Sequence, residues 1–387
     1  MTTAGDLRSD PWRRAVEAVP RELFIPSFFR DIETSEGTMW APVSPDLTGT
    51  RERLELVYQN ETWVTQLDHK VWPNDTDVPI RGIPTSSSTL PGLVVRMLEE
   101  LQVEDGQSVL EIGTGTGYSA ALLSERLGSA LLTSVEVDAE VARGAREGLS
   151  HAGYKPNLIR ADGLAGHPAG ALYDRVIATC SVRYIPPAWI EQTRPGGLIL
   201  TTMLGWLGAS SGLVRLVVTG NGTAEGIFLP GTDSFMSARP HEAPELPQDA
   251  WDRIDTQPST DRPATVGPEI LDPWEGWTSM FIAQLAAPAA RHEVFSIDDP
   301  DTLHLLDAAR DSYATVRGAR PGGAASVAYG GPVDVWAEIE SAISAWRQAE
   351  QPALDQFRIT VTPKVETVYY DDPRGPLSWS LPIHPIR

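Results

Sequence analysis

The sequence predicts an α/β protein with a mostly parallel sheet that ends in an antiparallel hairpin, followed by a C-terminal α+β extension. Three observations support this fold class. A short apolar run, 109–112, precedes three alternating glycines and then a helical pattern. Strand-like segments alternate with helical ones as far as residue 202. Two further strand-like segments around a Gly-rich turn, within 213–228, close the series as a hairpin.

The chain before this sheet is predicted to cover a pocket. Residues 11–30 begin as a short helix, and residues 31–79 have too little periodicity to predict more than irregular structure with short strands. Residues 84–91 are predicted to form a hydroxyl-rich loop, and residues 92–101 a helix. The hydroxyls of this loop have two alternative uses, which are to cap the helix or to hold a substrate.

The glycine turn and the strands that follow it have the chemistry of a nucleoside site. Glycines permit backbone angles that other residues avoid, and they let a ligand approach the main chain. The second strand, 131–135, ends in Glu136, and a carboxylate there suits a bidentate hydrogen bond to a ribose diol. The third strand, 157–161, ends in Asp162-Gly163, where the acid can accept a hydrogen bond from an adenine amino group. An Asp-Gly pair alone indicates a turn, but its place at a strand end favours the site.

The composition changes near Pro240, where a polar, acidic and Pro-rich stretch begins. Beyond it, residues 357–363 and 365–370 alternate like the two strands of a hairpin. The predicted organisation is an N-terminal helix and substrate-covering segment, 1–80, a cofactor-binding core, 81–240, and an α+β extension for substrate recognition, 241–387.

Composition and charge exclude several function classes. The 31 basic and 52 acidic residues give a net charge of −21, which argues against nucleic acid and anionic membranes as partners. The single Cys180 excludes an internal disulfide and is predicted to be a packed thiol, and the histidines show no metal-binding spacing. Residues 196–214 are mostly uncharged, but their glycines favour strand–loop–strand over a membrane helix. With no apolar signal segment at the N-terminus, we expect a soluble, cytoplasmic protein.

Four segments resemble motifs of one family. Residues 19–26 (VPRELFIP), 87–93 (SSTLPGL), 109–124 (VLEIGTGTGYSAALLS) and 161–166 (ADGLAG) are similar to motifs of protein-L-isoaspartate O-methyltransferases. The resemblance covers about residues 10–235 and implies a Rossmann-like class I methyltransferase fold. It implies S-adenosylmethionine as the cofactor, with S-adenosylhomocysteine as its product. The implied cofactor-binding residues are Glu111, Gly113, Thr114, Gly115, Gly117, Tyr118, Glu136, Val137, Asp162 and Gly163.

The resemblance also implies a catalytic group. The family's active-site serine falls on Thr89, which keeps the hydroxyl and adds a methyl group. Because a carboxylate is already a nucleophile at neutral pH, the enzyme has only to desolvate it and hold it in line with the methyl donor. The candidate catalytic residues are Thr89, Ser88 and Ser87, whose hydroxyls can hold a carboxylate.

The length of the chain and its closing residues resemble the extended actinobacterial members of this family found with graspetide and lanthipeptide pathways. Such members methylate an aspartate, and the neighbouring amide then attacks the ester to give an aspartimide. The expected partner is therefore a peptide, such as a macrocyclised ribosomal peptide (RiPP). The alternatives are L-isoaspartyl protein repair and a catalytically inactive peptide-binding protein. The extension either selects the peptide or only covers apolar surface.

Overall fold

The structure, a computed structural model of the 387-residue chain, describes residues 5–35, 37–208, 210–246, 250, 256, 258–272, 276–293, 302–319 and 324–381. Its described α-helices are α1 Asp10–Ala18, α2 Thr50–Val57, α3 Pro91–Glu100, α4 Tyr118–Leu127, α5 Ala139–His151, α6 Pro187–Glu191, α7 Trp277–Ala286 and α8 Val335–Gln348. Its described strands are β1 Phe28–Thr34, β2 Gly37–Val43, β3 Trp63–Leu67, β4 Pro84–Ser88, β5 Val109–Ile112, β6 Leu132–Glu136, β7 Asn157–Arg160, β8 Tyr173–Val182, β9 Thr193–Leu204, β10 Ser211–Gly220, β11 Thr223–Phe228, β12 Thr260–Pro263, β13 Arg291–Glu293, β14 Thr302–Asp307, β15 Ser312–Arg317, β16 Ser326–Gly330, β17 Arg358–Val361, β18 Glu366–Tyr369 and β19 Ser378–Leu381.

The chain divides into two compact units. The first unit comprises Met1–Cys180 and Ala188–Leu200, and the second comprises Ser181–Pro187 and Thr201–Arg387. Strands β8 and β9 each contribute residues to both units. Every residue that the sequence assigns to the cofactor or to catalysis belongs to the first unit.

The first unit contains the predicted parallel sheet. Its strands follow the order β9-β8-β5-β6-β7, and β5 pairs in parallel with both β6 and β8. All four residues of β5 are buried, as is typical of a strand covered on both faces. Because the carboxyl ends of parallel strands share one edge, the loops after β5, β6 and β7 come together there. The Rossmann-like fold expected from the sequence is confirmed.

The N-terminal part of the first unit is more regular than the sequence indicates. Strands β1 to β4 form an antiparallel sheet in the order β2-β1-β3-β4. The prediction of a loop over residues 84–91 is wrong for its first half, because Pro84 to Ser88 pair with β3. A run of hydroxyl residues has no apolar alternation, so it lacks the periodicity by which a strand is predicted from sequence.

The described residues of the second unit form two sheets. One has the order β19-β18-β17-β11-β10-β9, and the other is antiparallel with the order β12-β16-β15-β14-β13. The predicted hairpins are confirmed, since β10 pairs antiparallel with β11, and β17 with β18. Within 196–214, residues 196–204 lie in β9 and residues 211–214 in β10, so the predicted two strands are present in place of a membrane helix. Within the described ranges, no helix has the length and apolar character needed to span a membrane.

Candidate active site

The glycine loop after β5 requires its glycines. Gly113, Gly115 and Gly117 have φ angles of +88°, +54° and +91°, a region that side chains with a Cβ rarely adopt. The amide of Gly113 donates to the carbonyl of Val135 at 2.8 Å, which joins the loop to the end of β6. A Cβ at Gly113 would lie only 2.9 Å from Oγ1 of Thr179. The loop is therefore fixed between β6 and β8.

Glu111 is fully buried beneath this loop. Its Oε1 accepts a hydrogen bond from Ser119 Oγ at 2.5 Å, and its Oε2 accepts one from Ser134 Oγ at 2.6 Å. The Ser134 hydroxyl also lies 2.6 Å from the hydroxyl of Thr114. Burial raises the pKa of Glu111 to about 7, a rise that the two hydroxyls oppose and the nearby Glu136 adds to. Glu111 and Thr114 thus brace the loop from inside.

Glu136 lies at the carboxyl end of β6 and faces the loop. Its Oε2 accepts from the amide of Gly115 at 3.0 Å, and its Oε1 accepts from the amide of Asp138 at 3.0 Å. Between these two acids, the side chain of Val137 is 38% exposed. The carboxylate is therefore oriented by two backbone amides, beside an exposed apolar side chain that suits the flat face of a base.

Asp162 and Gly163 follow β7 at the same edge of the sheet. Asp162 is exposed, and its Oδ1 accepts from the amide of Leu164 at 2.9 Å. A Cβ at Gly163 would overlap the side chain of Ile112, and the Gly163 carbonyl accepts from Trp189 Nε1 at 2.8 Å. The turn therefore packs closely on β5 while the acid stays accessible to a ligand.

The hydroxyl residues of β4 alternate between two environments. Ser86 and Ser88 are buried, at 8% and 3% exposure, whereas Ser87 and Thr89 are half-buried. This alternation follows from the period of two in a strand. A Cβ added at Gly115 would lie 3.7 Å from the Ser87 carbonyl oxygen. Strand β4 thus lies against the glycine loop, and Ser87 and Thr89, the residue that follows the strand, are less buried than Ser86 and Ser88.

The hydroxyls do not cap the following helix. Helix α3 has Leu90 as its N-cap, without a side-chain capping hydrogen bond. Instead, the amide of Gly92 donates to Asn60 Oδ1 at 2.7 Å, and the amide of Leu90 donates to Thr62 Oγ1 at 3.0 Å. The capping alternative considered from the sequence is therefore wrong.

Gln66, which the sequence analysis missed, links β4, the strand that carries the serine hydroxyls, to the segment that follows β6. Its side chain is 1% exposed, its Nε2 donates to Asp138 Oδ2 at 3.2 Å, and its Oε1 accepts from Thr85 Oγ1 at 3.0 Å. Asp138 Oδ1 also caps helix α5 by accepting from the amide of Glu140 at 2.8 Å. An acid just before a helical pattern indicates the cap, but no local signal indicates the partner Gln66.

Arg21 explains the N-terminal motif. Its buried guanidinium donates to the carbonyls of Val57, Gln59 and Thr89, at 2.5, 2.9 and 3.3 Å. Burial lowers its pKa to about 10, and its Cζ lies 5.9 Å from the centroid of the Tyr118 ring. Arg21 thus fixes the backbone at Thr89. Tyr118 is 5% exposed and packs within the protein.

Thr179 and Cys180, two neighbouring residues of β8, lie at the same end of the parallel sheet as the glycine loop. The hydroxyl of Thr179, also missed in the sequence, donates to the carbonyl of Gly113. Burial raises the pKa of the Cys180 thiol to about 12, and the carboxylates of Glu136 and Asp162 raise it further. Cys180 is half-buried, and its thiol stays protonated at neutral pH, which argues against a nucleophile.

The family model and the curated relatives that match this chain point to the same family. The family model for protein-L-isoaspartate (D-aspartate) O-methyltransferase matches residues 52–205. A protein-L-isoaspartate O-methyltransferase of Thermococcus onnurineus is 38% identical over 136 residues, which are 34% of this chain and 60% of that relative. Three further relatives of the same name are covered over 52%, 64% and 57% of their lengths. The chain thus spans less than two thirds of these relatives.

Longer matches exist as well. The protein-L-isoaspartate O-methyltransferase of Korarchaeum cryptofilum is 30% identical over 208 residues, which are 51% of this chain and 75% of that relative. A solved structure of a protein-L-isoaspartate O-methyltransferase matches with a TM-score of 0.50 and 19% identity, covering 94% of this chain and 96% of that one, and so shows the shared fold. The chain belongs to the protein-L-isoaspartate O-methyltransferase family.

Proposed function

We propose that this protein is an S-adenosylmethionine-dependent O-methyltransferase that esterifies the side-chain carboxylate of an aspartyl or isoaspartyl residue in a peptide. One observation carries the proposal. The glycine loop, whose Gly115 amide donates a hydrogen bond to Glu136, lies against strand β4 at Ser87. The proposed nucleoside site and the proposed carboxylate site would thereby lie next to each other. Membership of the family supports the same reaction class.

The residues at this edge fit the cofactor. A Cβ at Gly115 would have no neighbour nearer than 3.7 Å, so the space beside the bare main chain there is open to a ligand. Glu136 would hold the ribose hydroxyls, Asp162 the adenine amino group and Val137 the face of the adenine. When bound, the cofactor supplies a methyl group on a positively charged sulfur. Glu111 and Thr114, which lie beneath the glycine loop, would keep the loop in place without contacting the ligand.

Among the three hydroxyl candidates, we favour Thr89 and Ser87. Both are half-buried, so they can donate to a carboxylate while shielding it from water. Ser88 is 3% exposed, so its hydroxyl would have a structural role in the N-terminal sheet and not a role in holding the substrate. Arg21, through the Thr89 carbonyl, would be a positioning residue. These side chains would hold the carboxylate ionised and in line, and no proton has to be moved.

We further propose that the substrate is a dedicated ribosomal peptide whose esterified aspartate closes to an aspartimide. The second unit, most of which lies beyond the residues that the family model matches, supports a substrate larger than a short damaged segment. We propose substrate selection as the role of residues 241–387. The names of the curated relatives favour the second candidate, L-isoaspartyl repair. The intact loop, Glu136 and Asp162 argue against the third, a catalytically inactive peptide-binding protein.

The test is methyl transfer from cofactor with a tritiated methyl group to three peptides: an isoaspartyl peptide, the same peptide with aspartate, and the ribosomal peptide encoded beside the gene. A carboxyl ester is base-labile and releases methanol, which distinguishes it from N-methylation. Ester on the encoded peptide supports maturation, and ester on the isoaspartyl peptide alone supports repair. Cofactor binding without any transfer would support the inactive alternative.

The role of the extension needs its own comparison. Lys364 and Val365 are exposed at the turn between β17 and β18, so substitutions there should leave the fold intact. We expect Lys364→Ala with Val365→Ser to lower transfer to the encoded peptide more than to the isoaspartyl peptide. The double variant and variants at other exposed positions of residues 241–387 are compared on both peptides. If each of them affects the two peptides equally, the extension does not select the substrate.

A further inference from the structure

Among the described residues of the second unit, two arginines have no acidic partner. The Cζ atoms of Arg183 and Arg291 lie 3.4 and 5.3 Å from the centroid of the Trp206 ring. In the part of the chain that the structure describes, their side-chain hydrogen bonds go to the backbone carbonyls of Pro288 and Pro244. The chain has 52 acidic and 31 basic residues, so a neighbouring pair of arginines that pairs with no described carboxylate is unexpected.

Arg183 lines a small pocket in this unit, with about 30 Å³ of space, enough for a group the size of a water molecule or a carboxylate. The lining is otherwise largely apolar and includes Phe281 and Leu285. Gln284 also lines the pocket, but both ends of its amide are bonded to backbone groups, at 2.7 and 2.6 Å. The charge that a ligand meets in this pocket is therefore that of Arg183. A few polar groups in a largely apolar pocket are typical of ligand sites.

The cationic group is held in place before any ligand arrives. The backbone amide of Arg183 donates to His241 Nδ1 at 3.1 Å, and Trp206 Nε1 donates to the His241 carbonyl at 2.9 Å. Burial lowers the pKa of His241 to about 4, so the ring is neutral near pH 7 and can accept the hydrogen bond. Such a fixed arrangement reduces the ordering cost of binding.

The two positive charges also repel each other. Burial lowers the pKa of Arg183 to about 10, Tyr184 opposes this shift, and the charge of Arg291 adds to it. A bound anion would relieve both effects. A guanidinium matches the two oxygens of a carboxylate with two parallel hydrogen bonds.

We propose that this pocket binds an acidic side chain of the peptide substrate, distinct from the carboxylate that is methylated, and thereby selects acidic peptides. The identification of the ligand as a peptide rests on the proposed function. Contacts remote from the reacting group can supply binding energy that orients it. A local cationic site is needed for an acidic peptide, because the net charge of −21 would otherwise repel it.

The experiment measures binding without cofactor, by fluorescence anisotropy of a labelled peptide that carries three glutamates and one aspartate. Its counterpart carries three glutamines. We expect Arg183→Lys to weaken binding of the glutamate peptide about 10-fold, because a bidentate charge-assisted hydrogen bond is lost. Arg291→Gln should weaken it less, because Arg291 does not line the pocket and acts only through its charge. Arg374→Gln is the matched control, since that side chain is 92% exposed. Circular dichroism checks that each variant is folded.

Equal affinity of the unaltered protein for the two peptides would overturn the proposal, as would an equal loss in Arg374→Gln. Displacement of the peptide by inorganic phosphate, at a concentration at which acetate has no effect, would also overturn it in favour of a phosphate site. Methyl transfer to the same glutamate peptide is measured separately. Arginine-dependent binding without transfer contradicts the proposed reaction and leaves the binding site standing.

Discussion

At the scale of the residue, Glu136 should control cofactor affinity. Glu136→Ala removes the acceptor for the amides of Gly115 and Asp138 as well as the expected ribose contact. We expect the dissociation constant for S-adenosylmethionine, measured by calorimetry, to rise about 10- to 100-fold, which corresponds to about 1–3 kcal/mol. The control is Glu147→Ala, which removes an exposed acid paired with Arg143 and should leave the affinity unchanged. An unchanged constant in Glu136→Ala would contradict the assignment.

A second residue, Thr89, should affect turnover rather than cofactor affinity. Thr89→Val keeps the shape and removes the hydroxyl, so we expect kcat to fall about 10-fold or more, since a hydrogen bond to a charged group is worth about 1.5–3 kcal/mol. Ser87→Ala should act in the same direction. Ser88→Ala is the internal comparison, because this hydroxyl is buried and should matter less for transfer. If all three variants keep the kcat of the unaltered protein, these hydroxyls do not hold the carboxylate.

At the scale of the element, helix α5 contains two glycines in contrasting surroundings. A Cβ at Gly144 would meet nothing within 4 Å, whereas one at Gly148 would lie 3.0 Å from the Leu23 carbonyl oxygen and 3.2 Å from the Phe24 ring. We expect Gly144→Ala to raise the free energy of unfolding by about 0.5–1 kcal/mol, because alanine favours the helix. Gly148→Ala should lower it, since a backbone carbonyl yields little. Urea denaturation of both variants checks this, and stabilisation by Gly148→Ala would contradict the packing of the N-terminal motif on α5.

At the scale of the whole molecule, each unit contains a buried carboxyl that makes stability fall with rising pH. In the second unit, burial raises the pKa of Glu366 to about 8, and its Oε2 accepts from the amide of Ile185 at 2.8 Å. Glu111 plays the same part in the first unit. The unfolded chain releases these protons near pH 4.5, while the folded chain holds them to about pH 7 and 8. Between those values the folded state binds more protons, so the free energy of unfolding decreases as pH rises.

Glu366→Gln should flatten this dependence. The amide stays neutral, and its oxygen can still accept from Ile185. We expect the variant to lose less stability than the unaltered protein between pH 5 and pH 8.5 in urea denaturation. Glu225→Gln, at an exposed position on β11, should follow the unaltered protein. If Glu366→Gln also follows it, the carboxyl is not the source of the trend.

The sequence by itself determined the parallel sheet, the glycine turn and the acids that end β6 and β7. These features are local: a strand, a turn that needs positive φ angles and a helix follow each other in the chain, so their spacing can be read directly. The same holds for the two hairpins of the second unit. The resemblance to the family also rests on such short segments.

Only the tertiary structure decided which of these groups act together and how. Strand pairing separates Ser88 from Ser87 and Thr89, and packing brings Gln66 to Asp138 and Asn60 to the start of α3. Packing also places the Glu111 carboxylate against the hydroxyls of Ser119 and Ser134, and it assembles Arg183 with Arg291. Each of these relations joins residues far apart in the chain. Their energies depend on burial and on the partner that packing supplies, and neither is encoded in local periodicity.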